Sequence, residues 1–203
     1  MSADTAAAYF AQVHASPGWG RVLDAFVRFL APQPGWRTLD AGCGPGALVR
    51  RLAGRGCDAA GLDQDPAMLV HAPPRAAVGD VRALPWAGAS FDAVTATNVL
   101  FLLPEPLAGL REMARVARPG GWVAMLNPSP RMSLAAAQAH ADALGLAGFE
   151  RLSLVNWGAV AERHHRLNEA ELGKLCRAAG LSEPAIEAKI GPGLALFAKA
   201  RLE

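Results

Sequence analysis

Apolar and polar positions along this chain alternate between two periods. Short apolar runs read as strands: "RTLDAG" from Arg37, "CDAAGLD" from Cys57, "RAAVGD" from Arg75, "FDAVTATN" from Phe91 and "GWVAMLN" from Gly121. Between the first two, "GALVRRLAGRG" spaces its apolar residues as a helix does and closes on glycine. In "DQDPAMLV", Asp65 is placed to cap and Pro66 to open a short helix after the second strand. From Pro104, "PEPLAGLREMARVARPGG" puts Leu107, Leu110, Met113, Ala114 and Ala117 on one helical face and ends in a Pro-Gly-Gly turn. This alternation predicts an α/β fold, a Rossmann-like doubly wound sheet, mostly parallel, with helices on both faces.

The C-terminal portion breaks the pattern. Asn168 followed by Glu171 forms a capping-box signature, and "NEAELGKLCRAAG" reads as a helix. Two strand-like runs, Ala185 to Ile190 and Leu194 to Ala200, flank "GPG", a connection too short for a crossover. The last strand is therefore expected to run antiparallel. We divide a single domain of 203 residues into an N-terminal helical lid (1–36), a core (37–128), an insert above the sheet's carboxyl edge (129–167), and a terminal helix and hairpin (168–203).

Composition narrows the function classes. With 52% hydrophobic and 19% charged residues the chain is globular in character, and no run approaches the roughly 18 apolar residues of a membrane span. "MSADTAAAYFAQVH" lacks a basic n-region followed by an apolar h-region, so the expected location is cytoplasmic. Three cysteines without metal-ligand spacing, Cys43, Cys57 and Cys176, suggest reduced thiols and no metal. A net charge of +2 with scattered arginines gives no electrostatic grip on nucleic acid, and the oligomeric state is left open.

The chemistry concentrates around "LDAGCGPG", Leu39 to Gly46. Read as Gly42-x-Gly44-x-x-Ala47 with Asp63 downstream, it fits a dinucleotide fingerprint. Glycines here admit any adenosine-bearing ligand, so a nicotinamide oxidoreductase stays open at this point. A Tyr-x-x-x-Lys dyad is excluded, because Tyr9 is the only tyrosine and Val13 holds the lysine position.

Five motifs in order then carry a resemblance: "LDAGCGPG", "GLDQDPAML", "GDVRALPWAGASFDAV", "LREMARVARPGGWV", and the terminal "AGL" helix with its hairpin. Together they resemble the class I S-adenosylmethionine-dependent methyltransferases, in the small-molecule branch that includes the ubiquinone and menaquinone C-methyltransferases. The resemblance covers residues 37–125 and 168–200. It implies S-adenosylmethionine as cofactor and in-line methyl transfer to a small-molecule acceptor. A non-catalytic cofactor-binding module is the alternative.

The resemblance also implies roles for particular residues. Gly42, Cys43, Gly44 and Gly46 bring backbone close to the ligand, while Asp40 lies near its ammonium and orders the turn by accepting backbone N–H groups. Asp63, with Gln64 beside it, accepts from the ribose hydroxyls. Asp80 accepts from the adenine amino group, the Val81 N–H reaches a ring nitrogen, and Met68 helps wall the ring. Thr97 and Asn98 flank the transferable methyl at the end of the fourth strand.

On the acceptor side, Tyr9, Phe101, Asn127 and Trp157 are weaker candidates, and His164 and His165 are weak candidates for a general base. Many relatives carry a His-His pair after the fourth strand. This chain has Phe101 and Leu102 there, which implies a more apolar acceptor pocket.

Overall fold

The computed structural model describes residues 3–203. Seven strands form one sheet: β1 (Arg37–Ala41), β2 (Asp58–Asp63), β3 (Ala76–Val78), β4 (Phe91–Thr97), β5 (Ala117–Pro128), β6 (Ala185–Lys189) and β7 (Ala195–Arg201), in the order β3-β2-β1-β4-β5-β7-β6. The first five run parallel, and β7 pairs antiparallel with both β5 and β6. Strand order reverses beside β1, so the carboxyl ends of β1 and β4 flank the crevice where open α/β sheets bind ligands.

Helices cover both faces. On one, α2 (Pro17–Leu30) and α3 (Ala47–Ala53) pack against the sheet. Helix α2 is strongly amphipathic, with Leu23, Phe26, Val27 and Leu30 buried three and four apart, and Ser16 caps it by accepting from the Trp19 N–H. On the other face lie α4 (Pro106–Val116) and α7 (Glu169–Ala178), whose Leu110, Met113, Leu172 and Cys176 join the larger core. The capping box of α7 forms as read: Asn168 Oδ1 accepts from Glu171 N at 2.9 Å, and Glu171 Oε2 accepts from Asn168 N at 2.8 Å. Cys43, Cys57 and Cys176 are buried and unpaired. No helix among the described residues is long and apolar enough to cross a membrane.

Three local expectations are corrected. The segment after Pro66 is a turn leading into a single 3-10 stretch at Met68–His71, because Asp65 accepts from Ala67 N and closes an Asx turn instead of capping an α-helix. Helix α4 ends at Val116, and Ala117 with the Pro-Gly-Gly sequence enters β5. The register against β4 slips there between Phe91 and Ala93, so the glycines sit in a bulged strand. The hairpin loop is wider than "GPG", running from Ile190 to Leu194, with Ser129 Oγ donating to the Gly193 carbonyl at 2.6 Å.

Above the carboxyl edge, α5 (Leu134–Ala143) and α6 (Gly148–Ala161) pair with each other. Helix α1 (Ala3–Ala15) lies across α2 and the Met68–His71 turn. These three helices roof the crevice.

Candidate functional site

The chain turns sharply after β1. Gly42, Gly44 and Gly46 all have positive φ, of 81°, 50° and 79°. Two of these glycines are required by the chain's own packing: a Cβ at Gly42 would lie 2.2 Å from Val99 Cγ2, and one at Gly46 would lie 2.4 Å from Pro73 Cδ. At Gly44 the nearest neighbour to such a Cβ is the imidazole of His14, 3.4 Å away, so this glycine faces the open site.

The turn is ordered by β2. Gly42 N and Cys43 N both donate to the Leu62 carbonyl, at 2.7 and 2.9 Å. Asp63, at the end of β2, accepts from Gly44 N through Oδ2 at 2.8 Å and from Asp65 N through Oδ1 at 3.0 Å. That corrects the expectation that Asp40 holds the loop amides. Asp40 is fully buried on β1, where its Oδ1 accepts from Thr95 Oγ1 of β4 at 2.9 Å. Burial pushes its carboxyl up to about 7, partly offset by the Thr95 hydroxyl and reinforced by Asp63. The Cys43 side chain is turned into the core against Gly61, and burial pushes its thiol up, so it brings only backbone to the loop.

A cavity of about 940 Å³ opens in front of this loop, near the upper end of the roughly 300–1,000 Å³ usual for small-molecule sites. Gly42, Gly44, Asp63, Gln64, Met68 and Val81 line one end. The Val81 N–H has no protein acceptor among the described residues. Asp80, expected to accept from the adenine amino group, is not among the residues that line the cavity: both its carboxylate oxygens are engaged by Arg82, at 2.6 to 3.1 Å, and these hydrogen bonds lower its pKa. Arg82 itself faces the cavity.

Thr97 and Asn98 form the floor. Asn98 adopts the left-handed conformation, φ 58°, while its N–H donates to Leu126 O at 2.7 Å. Its Oδ1 is buried without a partner. A non-glycine residue held there, with an orphaned carbonyl, is a mark of a functional position.

The other end is aromatic. Tyr9, Trp19, Phe101 and Trp157 line it, with Trp19 and Trp157 edge to face at 6.0 Å. Tyr9 accepts from Asn156 Nδ2 at 3.0 Å, which ties α1 to α6. Asn127 sits behind this wall, fully buried, accepting from Phe101 N at 3.3 Å, with Nδ2 unpartnered. His164 packs edge-on against Phe101 at 5.6 Å, and His165 pairs with Glu171 at 2.9 Å on an exposed surface. Neither lines the cavity. The histidines that do are His14 on α1 and His140 on α5.

Sequence reading passed over Trp19 and ranked His14 and His140 below His164 and His165. Trp19 had a usable signal, since it lies one turn into a Ser-capped amphipathic helix. The histidines had none.

Comparison with known proteins agrees with this geometry. Residues 39–125 match the family model described as a methyltransferase domain. Over that stretch the chain is similar to methyltransferase domains. Its motif-bearing stretch is 39% identical over 109 residues to the demethylmenaquinone methyltransferase of Beutenbergia cavernae, covering 51% of this chain and 44% of that protein. It is 30% identical over 163 residues to the ubiquinone biosynthesis O-methyltransferase of Thiobacillus denitrificans, covering 74% of this chain and 66% of that one. Most of the curated relatives it matches are spanned for less than half their length. The methyltransferase fold extends over nearly the whole chain: magnesium protoporphyrin IX methyltransferase of Synechocystis, solved with S-adenosylmethionine bound, superposes with a TM-score of 0.64 at 20% identity, covering 92% of this chain and 80% of that one.

Proposed function

We propose that this chain transfers a methyl group from S-adenosylmethionine to a small-molecule acceptor. The observation that carries the reading is the state of Asp63. Two backbone N–H groups fix its carboxylate at the carboxyl end of β2, facing the cavity, and each oxygen keeps a lone pair for a vicinal diol. The free Val81 N–H supplies a further polar contact along the same wall, so the residues present fit this cofactor.

When bound, S-adenosylmethionine supplies a sulfonium methyl with a good leaving group. The protein's part is then to hold, align and dry the reactants. Asp63 would take the ribose hydroxyls, Gly44 would let the ligand approach the backbone, and Thr97 and Asn98 would flank the methyl. The aromatic end, from Tyr9 to Trp157, would seat an acceptor and exclude water. Alignment and desolvation of this kind supply roughly 7–11 kcal/mol in well-oriented systems. His140 is the cavity histidine on the insert, and an acceptor that must lose a proton would find its base there.

Thermal shift and calorimetry with S-adenosylhomocysteine, S-adenosylmethionine and NAD in parallel test the cofactor. Stabilisation by NAD alone would overturn the reading. A methyl-transfer screen over small phenols, amines and enols, read by release of S-adenosylhomocysteine, separates an enzyme from a binding module, which would bind without turnover.

A further inference from the structure

Helix α2 turns a flank of small side chains to the cavity. Gly18, Val22 and Ala25 line it, spaced four and three apart on one side of the helix, and Phe29, the next residue of that stripe, does not. Phe29 packs on Phe197 of β7 with ring centroids 5.9 Å apart, so the stripe ends in a closed wall. From Gly18 to Ala25 the helix rises about 10 Å. Leu154 and Trp157 of α6 and Ile190 of the hairpin face it, and Trp157 packs with the α2 flank on one side and with Leu154 and Ile190 on the other. The cavity therefore has an arm along α2, bounded by the insert and the terminal hairpin.

We infer that this arm receives an apolar group of the methyl acceptor, and that Ala25 sets how large that group can be. The inference rests on the methyl-transfer reading for the reaction, and on the arm alone for the shape of the ligand. Elsewhere α2 fills its packing positions with large side chains: Leu23, Phe26, Val27 and Leu30 are buried against the sheet. Ala25 is half-buried and ends in a methyl group, so space is left where its neighbours would close it.

The lining decides the chemistry of the group. Val22, Ala25, Leu154, Ile190 and Phe197 carry no polar side-chain atom, and the one on Trp157, Nε1, is a donor buried without a partner among the described residues. Of the charged side chains that line the cavity from the same elements, Glu150 already accepts from Gly18 N at 2.7 Å, Lys189 pairs with Glu187 at 2.6 Å, and Arg21 is exposed to solvent. A charged or strongly hydrogen-bonding group entering the arm would lose its water without equivalent partners. An aryl or branched apolar group loses nothing and buries its surface. The aromatic walls, Trp157 and Phe197, favour a planar ring.

The test measures two uncharged probes on the full chain saturated with S-adenosylhomocysteine, by tryptophan fluorescence and calorimetry: phenol, and 2-naphthol, which adds a second ring. Wild type should bind 2-naphthol roughly tenfold or more tightly than phenol, because the added ring buries apolar surface in the arm. Ala25→Phe, which extends a ring from α2 across the arm, should erase that gain while leaving phenol unchanged and S-adenosylhomocysteine within about twofold of wild type. Ala25→Leu fills the arm less, should remove part of the gain, and provides a second variant if the first fails to fold. Equal affinity of wild type for the two probes, or a gain that survives both substitutions, overturns the inference. So does a matching loss of S-adenosylhomocysteine, which would put Ala25 against the cofactor. The same measurements without S-adenosylhomocysteine keep the two readings apart: a gain that Ala25→Phe erases, in a protein that binds neither S-adenosylhomocysteine nor S-adenosylmethionine, would support the arm and overturn methyl transfer.

Discussion

Thr95 on β4 donates its hydroxyl to Asp40 on β1, 2.9 Å away, with both side chains fully buried where the sheet's two halves meet. The hydroxyl steadies a carboxyl group that burial has made reluctant to ionise. Its partner in pH dependence is His14, which burial has made reluctant to protonate.

The two groups tilt stability in opposite directions. Asp40 is raised from 3.8 to about 7, so the folded protein holds that proton more tightly than the unfolded chain, and its contribution is lost as pH rises from about 4 to 7. His14 is lowered from 6.5 to about 4, so the unfolded chain takes that proton first, and stability is lost as pH falls through the same window. Chemical denaturation between pH 4.5 and 7.5, on the order of the range these shifts span, should show opposing changes relative to wild type. Asp40→Asn leaves stability rising with pH, and His14→Phe leaves it falling, by a few kcal/mol. Parallel curves for all three proteins would refute the linkage.

Removing the Asp63 carboxylate strands two loop amides. Asp63→Ala frees Gly44 N and Asp65 N and deletes the acceptor for the ribose. Loss of charge-assisted bonds worth about 1.5–3 kcal/mol should weaken S-adenosylhomocysteine binding by roughly 10- to 100-fold. Asp63→Asn, which keeps one acceptor oxygen, should weaken it less, and calorimetry distinguishes the two.

Gly42 and Gly120 offer a controlled comparison. Both have positive φ, 81° and 73°, but a Cβ at Gly42 meets Val99 at 2.2 Å while Gly120 has nothing within 4 Å. Gly120→Ala should cost about 1–2 kcal/mol, the backbone term alone. Gly42→Ala adds overpacking of about 1–3 kcal/mol, because Val99 must move, and shifts the loop that faces the ligand. The difference in denaturation midpoint at equal m-value measures the second term.

Trp157 separates acceptor from cofactor. It lines the aromatic end, edge to face with Trp19 and far along the chain from the glycine loop. With an acceptor found by the transfer screen, Trp157→Ala should raise the acceptor KM at least tenfold. Affinity for S-adenosylhomocysteine should change less than twofold. Equal loss of both would place the acceptor elsewhere.

How much of this was legible in the sequence depends on the range of the interaction. The seven strands, the capped α7 and the placing of Asp63 follow from short-range rules, since a strand, a tight turn and a crossover helix are each written within a few tens of residues. The antiparallel ending followed from a short loop. The insert was harder: α6 is apolar on more than one side, with Leu152 exposed while Leu154 and Trp157 face the cavity, so no single face marks it. Asp65 was misread because an Asx turn and an N-cap begin with the same residue types.

The sequence by itself determined the frame, a doubly wound sheet with a glycine loop and an acid at the tip of β2, because hydrophobic period and turn chemistry act locally. Only the tertiary structure decided who meets across the crevice. Asp40 finds Thr95 on another strand, and His14 comes to rest over Gly44. The first contact depends on β1 pairing with β4, and the second on how α1 and α2 pack over the sheet, which is set by the summed burial of many side chains remote in sequence.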